Sequence, residues 1–313
     1  MSSKIKTVLK VGGTRAQWWK KHMSTLLPEM EVLLASERID REAIEYAIVW
    51  KPDPGWLKTF PNLKCIVSIG AGIDHILCDH ELPANVPIIR TTGTDLSVRM
   101  REYVTLHVLR LHRRLPEVEA AQHSREWLQI VEPPAHGRRV GVMGLGNLGA
   151  DCARTLAMIG FDVAGWARST KYIRGVKCFA GDTAKQDFLN QSEILVCMLP
   201  LTPDTKGILN EELFAQLPEG AKIINVARGQ HLVDADLLAA LGSGHIAAAT
   251  LDVFDQEPLP NDHPFWDHPN ILITPHIASL IDPVAGGERI AMNLRAFIAG
   301  EVVSDLVPPG KGY

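Results

Sequence analysis

Short apolar runs alternate with segments of helical length from one end of the chain to the other. Eleven such runs can be marked: Thr7–Val11, Val32–Ala35, Ala47–Trp50, Cys65–Ile69, Pro87–Arg90, Val140–Met143, Asp162–Trp166, Ile194–Met198, Lys222–Asn225, Ala247–Leu251 and Ile271–Thr274. They lack the in/out alternation of half-solvated strands and so read as strands covered on both faces, which means parallel sheets with crossover helices. At 313 residues the chain is about twice an ordinary domain. Two doubly wound α/β parallel-sheet domains sharing a cleft fit that length better than one sheet of eleven strands.

Between the fifth and sixth runs, Asp95–Leu115 carries Val98, Val104, Val108 and Leu111 at roughly helical spacing. This predicts a long helix joining the two domains and ending at Pro116. The charged stretch Glu117–Gly137 then reads as an excursion, either a subunit-contact arm or an ordinary surface loop. A last amphipathic helix is expected over Ala285–Ala299, and the tail from Val307 shows no strand or helix signal.

Composition excludes several function classes. With 46% hydrophobic and 22% charged residues the chain is globular, and 32 Lys+Arg against 36 Asp+Glu give a net charge of −4. Basic pairs such as Arg113-Arg114 and Arg138-Arg139 stay isolated, so neither a nucleic-acid nor a membrane-surface partner is expected. The N-terminus lacks the apolar core of an export signal, and uncharged stretches end well short of the roughly 18–20 residues a membrane span needs. Five scattered cysteines (Cys65, Cys78, Cys152, Cys178, Cys197) form no disulfide or zinc spacing, and His263, His268 and His276 fall on separate turns or strand ends. The expectation is a cytoplasmic protein with reduced, mostly buried thiols and no metal.

The strongest local motif runs from Arg138 to Gly149, a buried strand leading into Gly144-Leu145-Gly146-Asn147-Leu148-Gly149 and then a helical segment. In such a turn Gly144 permits the tight bend, Gly146 the approach of a pyrophosphate, and Gly149 the packing of helix on strand. Alone the motif could be a tight strand-to-helix turn. With the strand, helix and second strand around it, it predicts a dinucleotide site at a helix N-terminus.

An NAD-selective site carries Asp or Glu at the end of the second strand, about 20 residues on. Here the chain reads Trp166-Ala167-Arg168-Ser169-Thr170-Lys171, and the nearest acid, Asp162, begins the strand. Arg168, Ser169 and Lys171 offer a planar fork, a hydroxyl and a second charge suited to a 2′-phosphate. NADPH is therefore expected over NADH, the alternative being an ordinary solvated loop.

Three further segments fall at or beyond strand ends, where ligands collect in open α/β sheets: Asn225–Gly229, Leu251–Pro258 and Thr274–Ala278. Reduction of a 2-oxo acid needs a proton donor and a cation that fixes the carboxylate. His276 paired with Glu257 suits the first role and Arg228 the second. Singly, each also reads as structural, since twelve histidines occur and Arg-Gly after a strand is often a turn. Cys197, on a buried strand, reads as core.

Together these segments resemble the D-isomer-specific 2-hydroxyacid dehydrogenase family. The resemblance rests on Gly144–Gly149, Leu199-Pro200-Leu201-Thr202-Pro203-Asp204-Thr205-Lys206-Gly207, Asn225-Val226-Ala227-Arg228-Gly229, Leu251-Asp252-Val253-Phe254 with Glu257-Pro258, and Thr274-Pro275-His276. Ser68-Ile69-Gly70-Ala71-Gly72-Ile73-Asp74 is similar to that family's substrate-domain loop, so nearly the whole chain is covered. Gln17-Trp18-Trp19, Tyr46–Trp50, the Trp-x-Arg loop and the ending Lys311-Gly312-Tyr313 are most similar to its glyoxylate/hydroxypyruvate reductase branch.

The resemblance implies a Rossmann cofactor domain over residues 104–284, inserted in a flavodoxin-like substrate domain formed by 1–103 and 285–313. It implies catalysis by Arg228, Glu257 and His276, with Gly144, Gly146, Asn147, Leu148, Gly149, Trp166, Arg168, Ser169, Lys171, Leu199, Pro200, Val226, Ala227 and Asp252 on the cofactor, Asp252 near the nicotinamide carboxamide. It also implies substrate contacts from Trp50, Arg228, His276 and the N–H groups of Ala71, Gly72 and Ile73. The activity implied is NADPH-dependent reduction of glyoxylate to glycolate and hydroxypyruvate to D-glycerate by a homodimer; pyruvate and phenylpyruvate are the alternative substrates. A dinucleotide-sensing co-repressor of the same family is disfavoured by the lack of a low-complexity tail and by the 2′-phosphate loop.

Overall fold

The computed structural model describes residues 4–309, apart from the side chains of Thr14, Thr94 and Asp95. The family-like ending Lys311-Gly312-Tyr313 lies outside the described residues. In chain order the elements are β1 (Ile5–Lys10), α1 (Ala16–Leu26), β2 (Met30–Leu34), β3 (Ile44–Val49), β4 (Cys65–Ser68), α2 (Asp74–Leu77), β5 (Ile88–Ile89), α3 (Thr94–His112), α4 (Leu115–His123) and β6 (Arg139–Met143). There follow α5 (Asn147–Ile159), β7 (Asp162–Ala167), β8 (Val176–Ala180), α6 (Lys185–Leu189), β9 (Ile194–Cys197), α7 (Glu211–Ala215), β10 (Ala221–Asn225), α8 (Asp234–Ser243), β11 (Ile246–Leu251), β12 (Ile271–Ile273), α9 (Pro283–Ile298) and β13 (Leu306–Val307). Each of the eleven apolar runs coincides with a strand.

The chain divides into two compact units, one through Leu96 plus everything from Ile281 onward, the other Ser97–Leu280. The boundaries expected at 103/104 and 284/285 fall inside α3 and α9, a few residues from these crossings. The first unit holds the sheet β13-β5-β4-β3-β1-β2, parallel except for β13. Without that edge it is the flavodoxin-like order 2-1-3-4-5. The second holds the all-parallel sheet β12-β11-β10-β9-β6-β7-β8, whose strand order reverses between β6 and β9 as in a Rossmann fold.

Both sheets are buried on both faces, which is why their strands lack alternation. In the second unit, Phe188, Phe214 and Phe265 fill one face, while Val104, Val108 and Leu111 of α3 and Cys152, Ala153 and Leu156 of α5 cover the other. In the first, Trp19 and Met23 of α1 pack with Ile290, Ala291 and Leu294 of α9. Among the described residues no helix is long and apolar enough to cross a membrane, and no group of three or more His, Cys, Asp or Glu could hold a metal.

Three local expectations need correction. Pro116 does not end the long helix; α3 stops at His112, Arg114 takes left-handed φ of 51°, and Pro116 opens α4. Proline is tolerated there because the first-turn N–H it lacks has no helical partner. Residues 117–123 are accordingly helix and not loop. Two strands are additional: β8, a half-exposed edge strand, and β13, two residues antiparallel to β5. The thiols, by contrast, are mostly buried as expected: Cys65, Cys152 and Cys197 are buried and pushed up to about 12 by that burial, Cys178 is half-buried and Cys78 exposed.

Asp305 joins the returning segment to the first unit. Its buried carboxylate accepts from Arg289 Nη2 at 2.8 Å and Asn293 Nδ2 at 3.2 Å, both on α9, and from the Thr92 hydroxyl, while its carbonyl accepts from Arg90 N–H at 3.0 Å. Burial raises its pKa, but the bonds from Thr92, Arg289 and Asn293 outweigh burial and hold it below the ordinary aspartate range. Because the folded pKa lies below the unfolded one, the stabilisation is present above about pH 3.9 and is lost as pH falls through the depressed folded value. Asp305→Asn is therefore expected to lower stability at pH 7 by about 1–3 kcal/mol, and calorimetry from pH 7 to 3 should show the gap to wild type narrowing in acid.

Candidate active site

The turn between β6 and α5 lies at the point where the second sheet reverses its strand order, the place where loops part and leave a crevice. Gly144 has φ of +102°, and an added Cβ there would stand 2.6 Å from Met198 O, at the end of the neighbouring β9. At Gly149 it would stand 1.8 Å from Gly144 O, so only glycine lets α5 start this close to its strand. At Gly146 a Cβ would meet nothing within 4 Å. Gly146 is also the N-cap of α5, extended and without a side-chain cap, so no side chain caps the first-turn N–H groups of α5. Open room beside uncapped donors at a positive helix end fits a pyrophosphate.

Arg168 follows the last residue of β7, and Arg168, Ser169, Thr170 and Lys171 are all exposed. Asp162 begins that strand, at its opposite end. Trp166 is placed differently from expectation: it is 7% exposed within the core, and its indole N–H donates to Gly181 O at 2.9 Å. That bond ties β7 to the turn after β8. Leu199, Val226 and Ala227 are buried just past β9 and β10, while Pro200 is exposed.

The three chemistry-bearing segments follow β10, β11 and β12, adjacent strands of the same sheet. His276 Nδ1 lies 3.0 Å from both Glu257 Oε1 and Oε2, so the structure brings this pair together. Glu257 Oε1 also accepts from Phe254 N–H at 3.2 Å. With Nδ1–H engaged, Nε2 is left as the nitrogen that can exchange a proton; it makes no hydrogen bond among the described residues. His276 takes φ of 55°, a conformation costly for a residue with a Cβ.

The Arg228 backbone is held at both groups. Its N–H donates to His231 Nδ1 at 3.2 Å, and its carbonyl accepts from Asn225 Nδ2 at 3.0 Å. His231 is fully buried, with Nε2 at 3.3 Å from Pro200 O. The guanidinium donates to Ala227 O at 2.7 Å. Gly229 then touches the next loop so closely that a Cβ would stand 1.8 Å from the Phe254 carbonyl carbon. Arg228 thus lies on a loop packed against the loop that carries Glu257.

Asp252 is 1% exposed, and burial raises its pKa against the bonds it accepts. Those bonds come from the Thr274 hydroxyl (2.5 Å) and the N–H groups of Ile277 and Ala278 (2.8 Å each). Asp252 is therefore the post around which the His276 loop is wound. Motif reading did not identify Thr274, His231 or Asn225 as supports, although each stands within three residues of a residue it did identify.

In the first unit, Gly70–Ile73 joins β4 to α2. A Cβ on Gly70 would meet the Trp50 ring at 2.6 Å, and Trp50 in turn lies 4.5 Å, centroid to centroid, from His75. Ser68 Oγ donates to Gly72 O at 3.1 Å. Among the described residues the N–H groups of Ala71 and Gly72 donate to nothing, which leaves them able to bind an anion.

A Rossmann sheet with an open phosphate cradle and a carboxylate-paired histidine on the same edge is the equipment of a nicotinamide-nucleotide oxidoreductase. Residues 105–278 match the model of the D-isomer specific 2-hydroxyacid dehydrogenase, NAD binding domain. The glyoxylate/hydroxypyruvate reductase A of Yersinia enterocolitica is 42% identical over 305 residues, spanning 95% of this chain and 96% of its own length. A D-isomer specific 2-hydroxyacid dehydrogenase from Xanthobacter autotrophicus Py2, solved with NADPH and MES, is 44% identical with a TM-score of 0.91 over 99% of this chain and 100% of its own. An NADPH-dependent glyoxylate/hydroxypyruvate reductase from Sinorhizobium meliloti, solved with NADP and sulfate, is 36% identical with a TM-score of 0.92 over the same shares. The chain belongs to the D-isomer-specific 2-hydroxyacid dehydrogenase family.

Proposed function

We propose that this protein reduces small 2-oxo acids with NADPH, glyoxylate to glycolate and hydroxypyruvate to D-glycerate foremost. The observation that carries the reading is the His276–Glu257 pair at 3.0 Å, on the sheet edge that also bears the phosphate cradle. The relatives bound to NADPH or named for these two substrates support the cofactor and the acids.

The dinucleotide, when bound, supplies a hydride for C2 of the substrate. Gly144, Gly146, Asn147, Leu148 and Gly149 would hold its pyrophosphate, and Arg168, Ser169 and Lys171 its 2′-phosphate. Glu257 fixes the His276 ring through Nδ1, so that Nε2–H can pass its proton to the carbonyl oxygen as that oxygen becomes a hydroxyl. Arg228 binds the carboxylate in its plane and polarises the carbonyl. Trp50 and the N–H groups of Ala71, Gly72 and Ile73 complete substrate binding.

Turnover with glyoxylate, hydroxypyruvate, pyruvate and phenylpyruvate, followed by loss of NADPH absorbance, tests the assignment. The first two acids are expected to give the highest kcat/KM. His276→Gln should lower kcat by about 10²–10⁴-fold while NADPH still quenches protein fluorescence. A fully active variant refutes the acid, and a preference for phenylpyruvate refutes the substrates.

Arg168→Ala is expected to lower kcat/KM for NADPH about tenfold or more, the value of one charge-assisted bond, and to leave NADH nearly unchanged. Equal wild-type efficiency with the two cofactors overturns the role of the loop.

A homodimer is part of the same proposal. Trp127 is 89% and Val131 98% exposed beyond α4, an apolar display that isolated surfaces seldom carry. Sedimentation equilibrium should give twice the chain mass, reduced to the chain mass by a Trp127→Glu, Val131→Glu double variant. A monomeric wild type at micromolar concentration contradicts this.

A further inference from the structure

The His276 loop is fastened to Asp252 on both sides of the histidine, by Thr274 before it and by Ile277 and Ala278 after it. The His276 N–H itself donates to Asp252 O at 2.8 Å. Such fastening is required because left-handed φ at a non-glycine residue costs about 1–2 kcal/mol and persists only where the surroundings enforce it. What holds Asp252 and Thr274 thus decides where the imidazole stands.

Thr274 has one hydroxyl proton, which goes to Asp252 Oδ1 at 2.5 Å, so its oxygen is free to accept. Tyr103 OH, from α3, lies 2.6 Å from it. Burial raises the Tyr103 pKa, keeping the phenol protonated and a donor. The ring is braced by His107, one turn on, at 4.2 Å between centroids. His107 is 5% exposed and pushed down to about 4 by burial and by Arg110, so it packs as a neutral ring.

We propose that Tyr103 is a positioning residue for the proton donor. Its O–H, relayed through the Thr274 hydroxyl, orients the Asp252 carboxylate around which the His276 loop is wound. Tyr103 touches neither substrate nor cofactor in this scheme, and its effect should fall on kcat. The proposal rests on His276 as the acid, and the test separates the two.

The full chain is compared as wild type, Tyr103→Phe, Thr274→Val, Thr274→Ser, the Tyr103→Phe/Thr274→Val double variant and His276→Gln. The readouts are kcat and KM with glyoxylate and NADPH, the Kd of NADPH by fluorescence, and Tm. Tyr103→Phe is expected to lower kcat about five- to tenfold, the scale of one hydrogen bond, with the Kd of NADPH within about twofold of wild type. Thr274→Ser should stay near wild type and Thr274→Val should not. The double variant should be no slower than Thr274→Val alone, because a relay broken once gains no further break.

Wild-type kcat in Tyr103→Phe, losses that multiply in the double variant, or a loss confined to NADPH affinity overturns the proposal. An impaired His276→Gln beside an unimpaired Tyr103→Phe removes this inference alone. A fully active His276→Gln removes the acid assignment and this proposal with it. If Tyr103→Phe does not fold, equal activity of Thr274→Ser and Thr274→Val overturns the relay, and the expected contrast between them supports it.

Discussion

The close approach of Gly149 to the Gly144 carbonyl is the contact on which the second unit's arrangement turns. With 1.8 Å available to a would-be Cβ, α5 can begin only where no side chain intervenes, and this seats the helix directly over the end of β6. The uncapped start of α5 then lies where the strand order reverses between β6 and β9. Other strands of the same sheet end in candidate site residues: Arg168 after β7, Arg228 after β10, Asp252 after β11, and the His276 loop after β12. The glycine turn and the His276–Glu257 pair thus stand at ends of strands of the same sheet.

The site then depends on buried polar support. Asp252, His231 and Asn225 are all nearly or fully buried, and each uses its polar atoms to hold a loop that exposes a neighbour. Buried groups of this kind would be costly if unpaired, and here each is engaged by backbone N–H or C=O. The overall charge of −4 is compatible with binding anions because the cations are local: Arg168 and Lys171 in one exposed loop, Arg228 in another.

The sheets were legible because strands covered on both faces must be apolar throughout, and such runs stand out without any alignment. β8 escaped notice because Val176-Lys177-Cys178-Phe179-Ala180 lies at an edge, where Lys177 is tolerated in solvent and breaks the run. β13 escaped because two residues carry no pattern, and its partner β5 is more than two hundred residues distant. Pro116 misled because its meaning depends on whether it follows a helix or opens one, and Arg114, left-handed, is what separates α3 from α4. His276 and Glu257, nineteen residues apart, could be paired from their places at strand ends. Tyr103 and Thr274, separated by 171 residues, share no motif; only the folded α3 brings the phenol to that hydroxyl.

The discontinuity of the first unit has a consequence for biosynthesis. Its α1 face is closed by α9, and its buried Asp305 belongs to the stretch from Ile281 onward, so residues translated first lack part of their core until that stretch leaves the ribosome. The central unit, contiguous from Ser97 to Leu280, is complete sooner. The central unit can therefore close before the first one, the opposite of the N-to-C sequence in which domains ordinarily mature during synthesis. Until that stretch is made, the N-terminal sheet β1 to β5 lacks the cover that Ile290, Ala291 and Leu294 of α9 give it.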